Sequence, residues 1–323
     1  MKHGKRVVDK RMLARAVAKK RISDGLSLRA LSEKIGVSFS TLSRIENGSH
    51  SPDPNTILRV SNWLGAQTPI SKKQGERHSW VHFRAAKNAS SRTVSCLFAA
   101  AQNIQREHHS SIPSFDEHYD DIFNGIDRKF VRSKVELEAL SSRLRQDLGL
   151  DLEEPFDALS LKVDGIEKIF ATQMSHLAST CYTVLDHPLC SEWSAMSVPI
   201  SIEDGRWVIL LNDTHSVVRQ RVTYLEEFWH IMLGHKLTKI AKVGDAFART
   251  FEKQEEDEAF FLAASTLLPR RSIDRFLRRF TQRQISVQDY AENMQVSVPL
   301  VEFRIKRLGL WKEYRGFRIH MES

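Results

Sequence analysis

The sequence predicts a mainly α chain of the α+β kind: an all-helical head, then a C-terminal domain in which helices pack on a small sheet. Three observations predict it. The excess of positive charge sits at one end, where short stretches of helical periodicity are punctuated by serine caps and glycine stops. Two apolar runs of strand length, Val198-Pro199-Ile200 and Trp207 to Asn212, flank Asp204-Gly205 and read as a hairpin. The residues that follow return to helical spacing and carry a cluster of carboxylates and imidazoles.

At 323 residues, two domains are the natural division, and 41% hydrophobic content suffices for globular cores. The net charge is +8; residues 1–65 alone hold 13 Lys/Arg against 5 Asp/Glu, so the remainder is near neutral. A compact basic module joined to a neutral one is the electrostatic footprint of nucleic-acid binding. Cys96, Cys181 and Cys190 form no Cys-x-x-Cys pattern, which suits a reducing compartment and argues against a disulfide scaffold. No run of about 18 apolar residues occurs, so no membrane-spanning helix is expected and a soluble, cytoplasmic protein is.

In chain order, a basic lead runs into a helix around Met12 to Ile22, which Asp24-Gly25 breaks. Ser27 caps a short helix, Leu28 to Ile35, that Gly36 ends. Ser38 then opens Phe39 to Glu46, with Leu42 and Ile45 inward and Ser40, Thr41, Ser43 and Arg44 outward. Such a face suits a major groove. The head is assigned to residues 1–70 and a linker or helical region to 71–130, where Trp80 to Phe83 and Thr93 to Ala101 read as a strand and a helix or as two helices. His108, His109 and His118 fit no usual ligand spacing and are read as surface residues. The second domain, 131–323, opens at the capping box Ser133-x-x-Glu136, with Leu137, Leu140, Leu144 and Leu148 as its apolar stripe. The hairpin strand could add an extended peptide by backbone pairing.

Arg221 to Pro269 carries the chemistry. Glu226 and His230 lie four apart on a helix and face a common point, with Glu227 one step round the axis. Alternatively, these three are the solvated side of an amphipathic helix whose Leu225, Phe228, Trp229 and Met232 are core. A second apolar helix, Ala259 to Leu268, follows the acidic run Glu255 to Glu258, whose charge suits a helix start. Beyond Pro269, Ile285 to Leu310 reads as a further helix pair whose spacing mimics a helix-turn-helix.

Two resemblances follow from these residues. Leu31 to Ser38, Thr41 to Gly48 and the closing Leu58, Val60 and Trp63-Leu64-Gly65 resemble the XRE, lambda-repressor-like helix-turn-helix family. That resemblance implies double-stranded DNA as partner, contacts from Ser38, Ser40, Thr41 and Arg44, and a homodimer on a two-fold operator. Arg44 has an alternative, pairing with Glu33 or Glu46. Arg221, Thr223, Glu226, Glu227 and His230, then Glu258, Ala259, Ala263, Ala264 and Pro269, resemble the ImmA/IrrE family of zinc-peptidase-like domains. This implies a zincin-like fold, zinc as cofactor, Glu226, His230 and Glu258 as metal ligands and Glu227 as the general base. Glu226 stands where the family has histidine, and a second anionic ligand would weaken the cation as a Lewis acid. His235 is the other side chain available as a substitute. The expectation is therefore a transcription regulator with a degenerate peptidase-like sensor domain, which recognises a ligand or a protein or peptide partner. The competing expectation is an active metal-dependent peptidase that cleaves a repressor or antitoxin-like partner.

Overall fold

The computed structural model describes residues 10–49, 52–64, 78–85, 89–110, 132–151, 153–174, 191–201, 203–243, 246–249 and 253–316. The head is four helices: α1 (Lys10–Ser23), α2 (Leu28–Ile35), α3 (Phe39–Glu46) and α4 (Pro54–Leu64). Val17, Leu31, Ile35, Val37, Leu42, Ile45 and Val60 meet in one core. The turn between α2 and α3 is held at each position. Gly36 takes φ +67°, Val37 is buried, and Ser38 caps α3. Buried Arg59 of α4 donates to the Gly36 carbonyl at 2.8 Å, which satisfies an oxygen that the left-handed residue turns inward.

In the second domain the described strands form one six-stranded sheet in the order β2-β4-β3-β1-β5-β6: β1 (His78–Ala85), β2 (Ile166–Phe170), β3 (Trp193–Ser201), β4 (Arg206–Leu211), β5 (Thr238–Val243) and β6 (Ala246–Arg249). Only β2 and β4 pair in parallel among them. The hairpin expected at Asp204-Gly205 forms as β3 and β4. Of the two readings of residues 71–130, the strand and helix form: β1 near the middle of the sheet, and α5 (Ser91–Glu107), whose Val94, Leu97, Ala101 and Ile104 cover one face of it. That strand pairs first with β5 through His78 to Val81, then with β3 through His82 to Ala85, which closes the sheet across a long sequence gap. Polar residues at His78, Ser79, His82 and Arg84 interrupt its apolar pattern, which is why Trp80 to Phe83 also reads as part of a helix. Ile166 to Phe170 is the edge strand β2, preceded by a short 3-10 turn at Ala158–Ser160.

The other face carries α6 (Lys134–Asp147), α7 (Val217–Leu233), α8 (Lys253–Leu267), α9 (Arg270–Thr281), α10 (Val287–Asn293), α11 (Val298–Arg307) and the short α12 (Trp311–Tyr314). The sheet is thus covered on both sides. All nine residues of β3 are buried, Met196 and Val198 toward α5, Ala195 toward α7. α6 opens with the expected capping box, Ser133 and Glu136 satisfying each other's backbone N–H groups. Its buried stripe is Leu137, Ser141 and Arg145 rather than four leucines, and Leu140 and Leu148 are exposed. The cause is Arg145, which donates to the carbonyls of Thr266 (3.0 Å), Glu154 (2.7 Å) and Asp151 and so turns the helix about its axis.

The two domains touch. α4 lies beside β5 and β6, and α2 approaches α8. No described helix is long and apolar enough to cross a membrane.

Candidate functional site

Helix α7 is buried on every side over Thr223 to His230, and this decides between the two readings of its polar residues. Glu226 and Glu227 are each 1% exposed and His230 6%, so they are no solvated face; Met232, expected as core, is 56% exposed. Ser216 caps the helix, and Gly234 at φ +57° ends it, turning His235 back toward His230. Ionisable groups at such depth are retained only with partners.

The partners come from four elements. Ser197 of β3 donates to Glu227 Oε2 at 2.5 Å. His82 of β1 is the register partner of Ser197, and its ring lies stacked between Trp207 of β4 (5.5 Å) and His230 (5.0 Å). His82 Nε2 is buried without a hydrogen-bond partner among the described residues. Burial first, and the charge of His235 second, lower its pKa from 6.5 to about 3, so the ring is neutral at physiological pH. His235 Nδ1 lies 2.9 Å from His230 Nδ1, and His235 Nε2 lies 2.9 Å from Glu258 Oε2 on α8. Arg132, the residue before the α6 cap, donates from Nη1 to the same Glu258 oxygen at 3.0 Å.

His230 and Glu258 are therefore brought together from separate helices, but through the ring of His235 and not around a shared point. Among the described residues no three His, Cys, Asp or Glu side chains converge as a metal-binding set. Of the ligand trio expected from sequence, Glu226, His230 and Glu258, the last two stand on opposite sides of the His235 ring, an arrangement that does not fit one zinc as the side chains stand. Sequence reading missed His82, Ser197 and Arg132. Strand-like Trp80-Val81-His82-Phe83 was the available signal for the first; nothing local marked the other two.

In the head, Ser38, Ser40 and Arg44 are exposed and Thr41 is half-buried, all at the start or on the outer side of α3. Ser38 spends its hydroxyl locally: it accepts from Thr41 N–H at 3.1 Å and bonds the Thr41 hydroxyl at 2.7 Å. It therefore shapes the helix start. Glu46 pairs with Arg21 of α1 through both oxygens, at 2.6 and 3.0 Å, and not with Arg44. Arg44 makes no ion pair with a described residue.

The helix pair at the other end repeats this geometry. Ser286 caps α10, Gln295 takes φ +54°, Val296 is buried and Ser297 caps α11, each at the spacing of Ser27, Gly36, Val37 and Ser38. Its reading face is used internally. Phe303 packs on Phe260 at 4.6 Å, and Glu302 accepts from Tyr314.

An exposed polar helix on a basic head, joined to an α+β domain with buried carboxylates and imidazoles, defines a class: a DNA-binding regulator carrying a peptidase-like domain. Residues 17–68 match the helix-turn-helix family, and residues 193–306 match a peptidase family described as IrrE N-terminal-like domain. The chain is a fusion of these two. The second match begins at the first residue of β3, so β1, α5 and β2 complete the sheet from outside it. No curated protein and no solved structure matches the chain.

Proposed function

We propose that this chain is a sequence-specific transcription regulator whose head reads duplex DNA with α3, as a homodimer on a two-fold-related site. The observation that carries it is the outer face of α3, where Ser40 and Arg44 are exposed and Arg44 is held by no described carboxylate. A lone head offers few base contacts, hence the dimer. Selection of the full chain on a random duplex pool, followed by fluorescence anisotropy, tests it. One motif with two-fold symmetry should emerge, and Arg44→Ala should weaken binding to it by about 1–3 kcal/mol, roughly 5- to 150-fold. No enriched sequence, or binding indifferent to salt, would overturn the reading.

The peptidase-like domain serves in this reading as a module that senses a ligand or partner without hydrolysing it. A peptide that pairs with the sheet has no place on the hairpin strand β4, because β2 and β3 occupy both its edges; β2 is the strand at that margin. The peptidase reading keeps one observation in its favour: Glu227 is buried beside His230 on one helix and held by Ser197. A reporter strain separates them. Glu227→Gln should leave regulation at the wild-type level if the domain only binds, and abolish it if cleavage by this base is the switch.

A further inference from the structure

Arg132, Glu258, His235 and His230 form a chain of contacts across the place where two helices of a zinc peptidase-like domain would share a cation. The distances are 3.0, 2.9 and 2.9 Å in that order. A tetrahedral zinc at about 2.0–2.1 Å from each ligand holds its donor atoms roughly 3.3 Å apart around one point, each presenting a lone pair. Here the donors stand in series. Glu258 Oε2 accepts from Arg132 Nη1 and also lies against His235 Nε2, while the other ring nitrogen of His235 faces His230 Nδ1. The ring of His235 thus lies between His230 and Glu258.

We infer that the chain supplies its own substitute for the metal: His235 bridges the two helices and the Arg132 guanidinium provides the positive charge that Glu258 faces, so the pocket is closed to zinc. Arginine suits the task because it stays charged at any physiological pH and cannot dissociate from the protein as an ion can. Geometry supports it further. Arg132 immediately precedes the Ser133 cap of α6, a helix pinned independently by Arg145 to the carbonyl of Thr266 on α8, so the guanidinium is delivered to Glu258 by a rigid element. Side-chain exposure of 31% for Arg132 and 11% for Glu258 leaves the pair partly shielded from water, where such a contact is held more firmly than on an open surface.

The inference deepens the non-hydrolytic reading of this domain and rests on it for its meaning, not for its test. The full chain is dialysed against zinc, and bound metal is measured by mass spectrometry and calorimetry. Wild type should retain no stoichiometric zinc, and its melting temperature should not move when zinc is added. Arg132→Met should raise zinc affinity about tenfold or more, because removing the guanidinium frees Glu258 and lets the two rings turn. One zinc per wild-type chain, lost in His230→Ala, overturns the inference. So does an Arg132→Met chain that takes no more zinc than wild type. If that variant does not fold, the wild-type titration and melting curve decide alone. A wild-type chain that binds no zinc yet cleaves a partner sinks the non-hydrolytic reading and spares this one; a zinc-loaded chain that cleaves nothing does the reverse.

Discussion

His82 is a neutral imidazole enclosed by aromatic rings, and its titration should be visible in the stability of the whole chain. Its pKa is about 3 folded and 6.5 unfolded, so below pH 6.5 the unfolded chain takes up a proton that the folded chain refuses. Stability should therefore fall as the pH drops from about 6.5, by up to about 1.4 kcal/mol per unit, and level off near the folded value. The groups around it are His230 and Glu227 on α7, His235 after that helix, Ser197 on β3 and Trp207 on β4. Glu136, Glu192 and Asp289, whose hydrogen bonds hold them below the ordinary carboxylate range, act in the same direction but further into acid. Denaturant titrations between pH 7 and 5 isolate the imidazole: His82→Phe should flatten the slope there, and an unchanged slope would refute the assignment. Gly36 makes a simpler case. At φ +67° an L side chain is strained, so Gly36→Ala should cost about 1–2 kcal/mol, read from the melting of the full chain.

At the scale of elements, α8 shows how a buried helix end is satisfied. Its C-terminal carbonyls are met by two buried arginines from other helices, Arg145 at Thr266 and Arg304 at Leu268, the latter 3.0 Å away. Arg304 also pairs with Glu138 of α6 at 2.8 Å and lies 5.2 Å over the Phe261 ring. Replacing it strands a carbonyl and a carboxylate together, and Arg304→Met should destabilise by about 3–5 kcal/mol in chemical denaturation. A loss below 1 kcal/mol would mean that water takes over both partners. The two serine-capped helix pairs make a second point about elements. Ser27 to Ser38 and Ser286 to Ser297 use the same spacing of cap, left-handed turn and buried valine, yet only the first keeps its outer face open. Spacing encodes the turn; the neighbours of the second helix decide whether it can read anything.

Over the whole molecule, the charge of +8 sits in the head while the second domain is near neutral, so association with DNA should be strongly salt-dependent. The logarithm of affinity should fall linearly with the logarithm of salt concentration, with a slope of about −0.9 per phosphate neutralised. Arg44→Ala should reduce that slope by about one if it grips phosphate, or relax sequence preference if it reaches a base. The head is also docked: α4 lies beside β6, the last strand of the sheet, and covers an edge that would otherwise offer unpaired backbone groups.

Local chemistry determined much of this in advance. Serine caps, glycine stops, the hairpin turn and the charge bias are properties of adjacent residues, and they sufficed for the head, the α6 capping box and the helices that carry Glu226, Glu227, His230 and Glu258. Only the tertiary structure decided that β1 belongs to the sheet, that α7 is buried all round, that His235 stands between His230 and Glu258, and that Arg132 reaches Glu258. Each of those depends on residues tens to more than a hundred positions apart meeting in a desolvated interior. No pattern within one helix records which distant side chain will share its pocket.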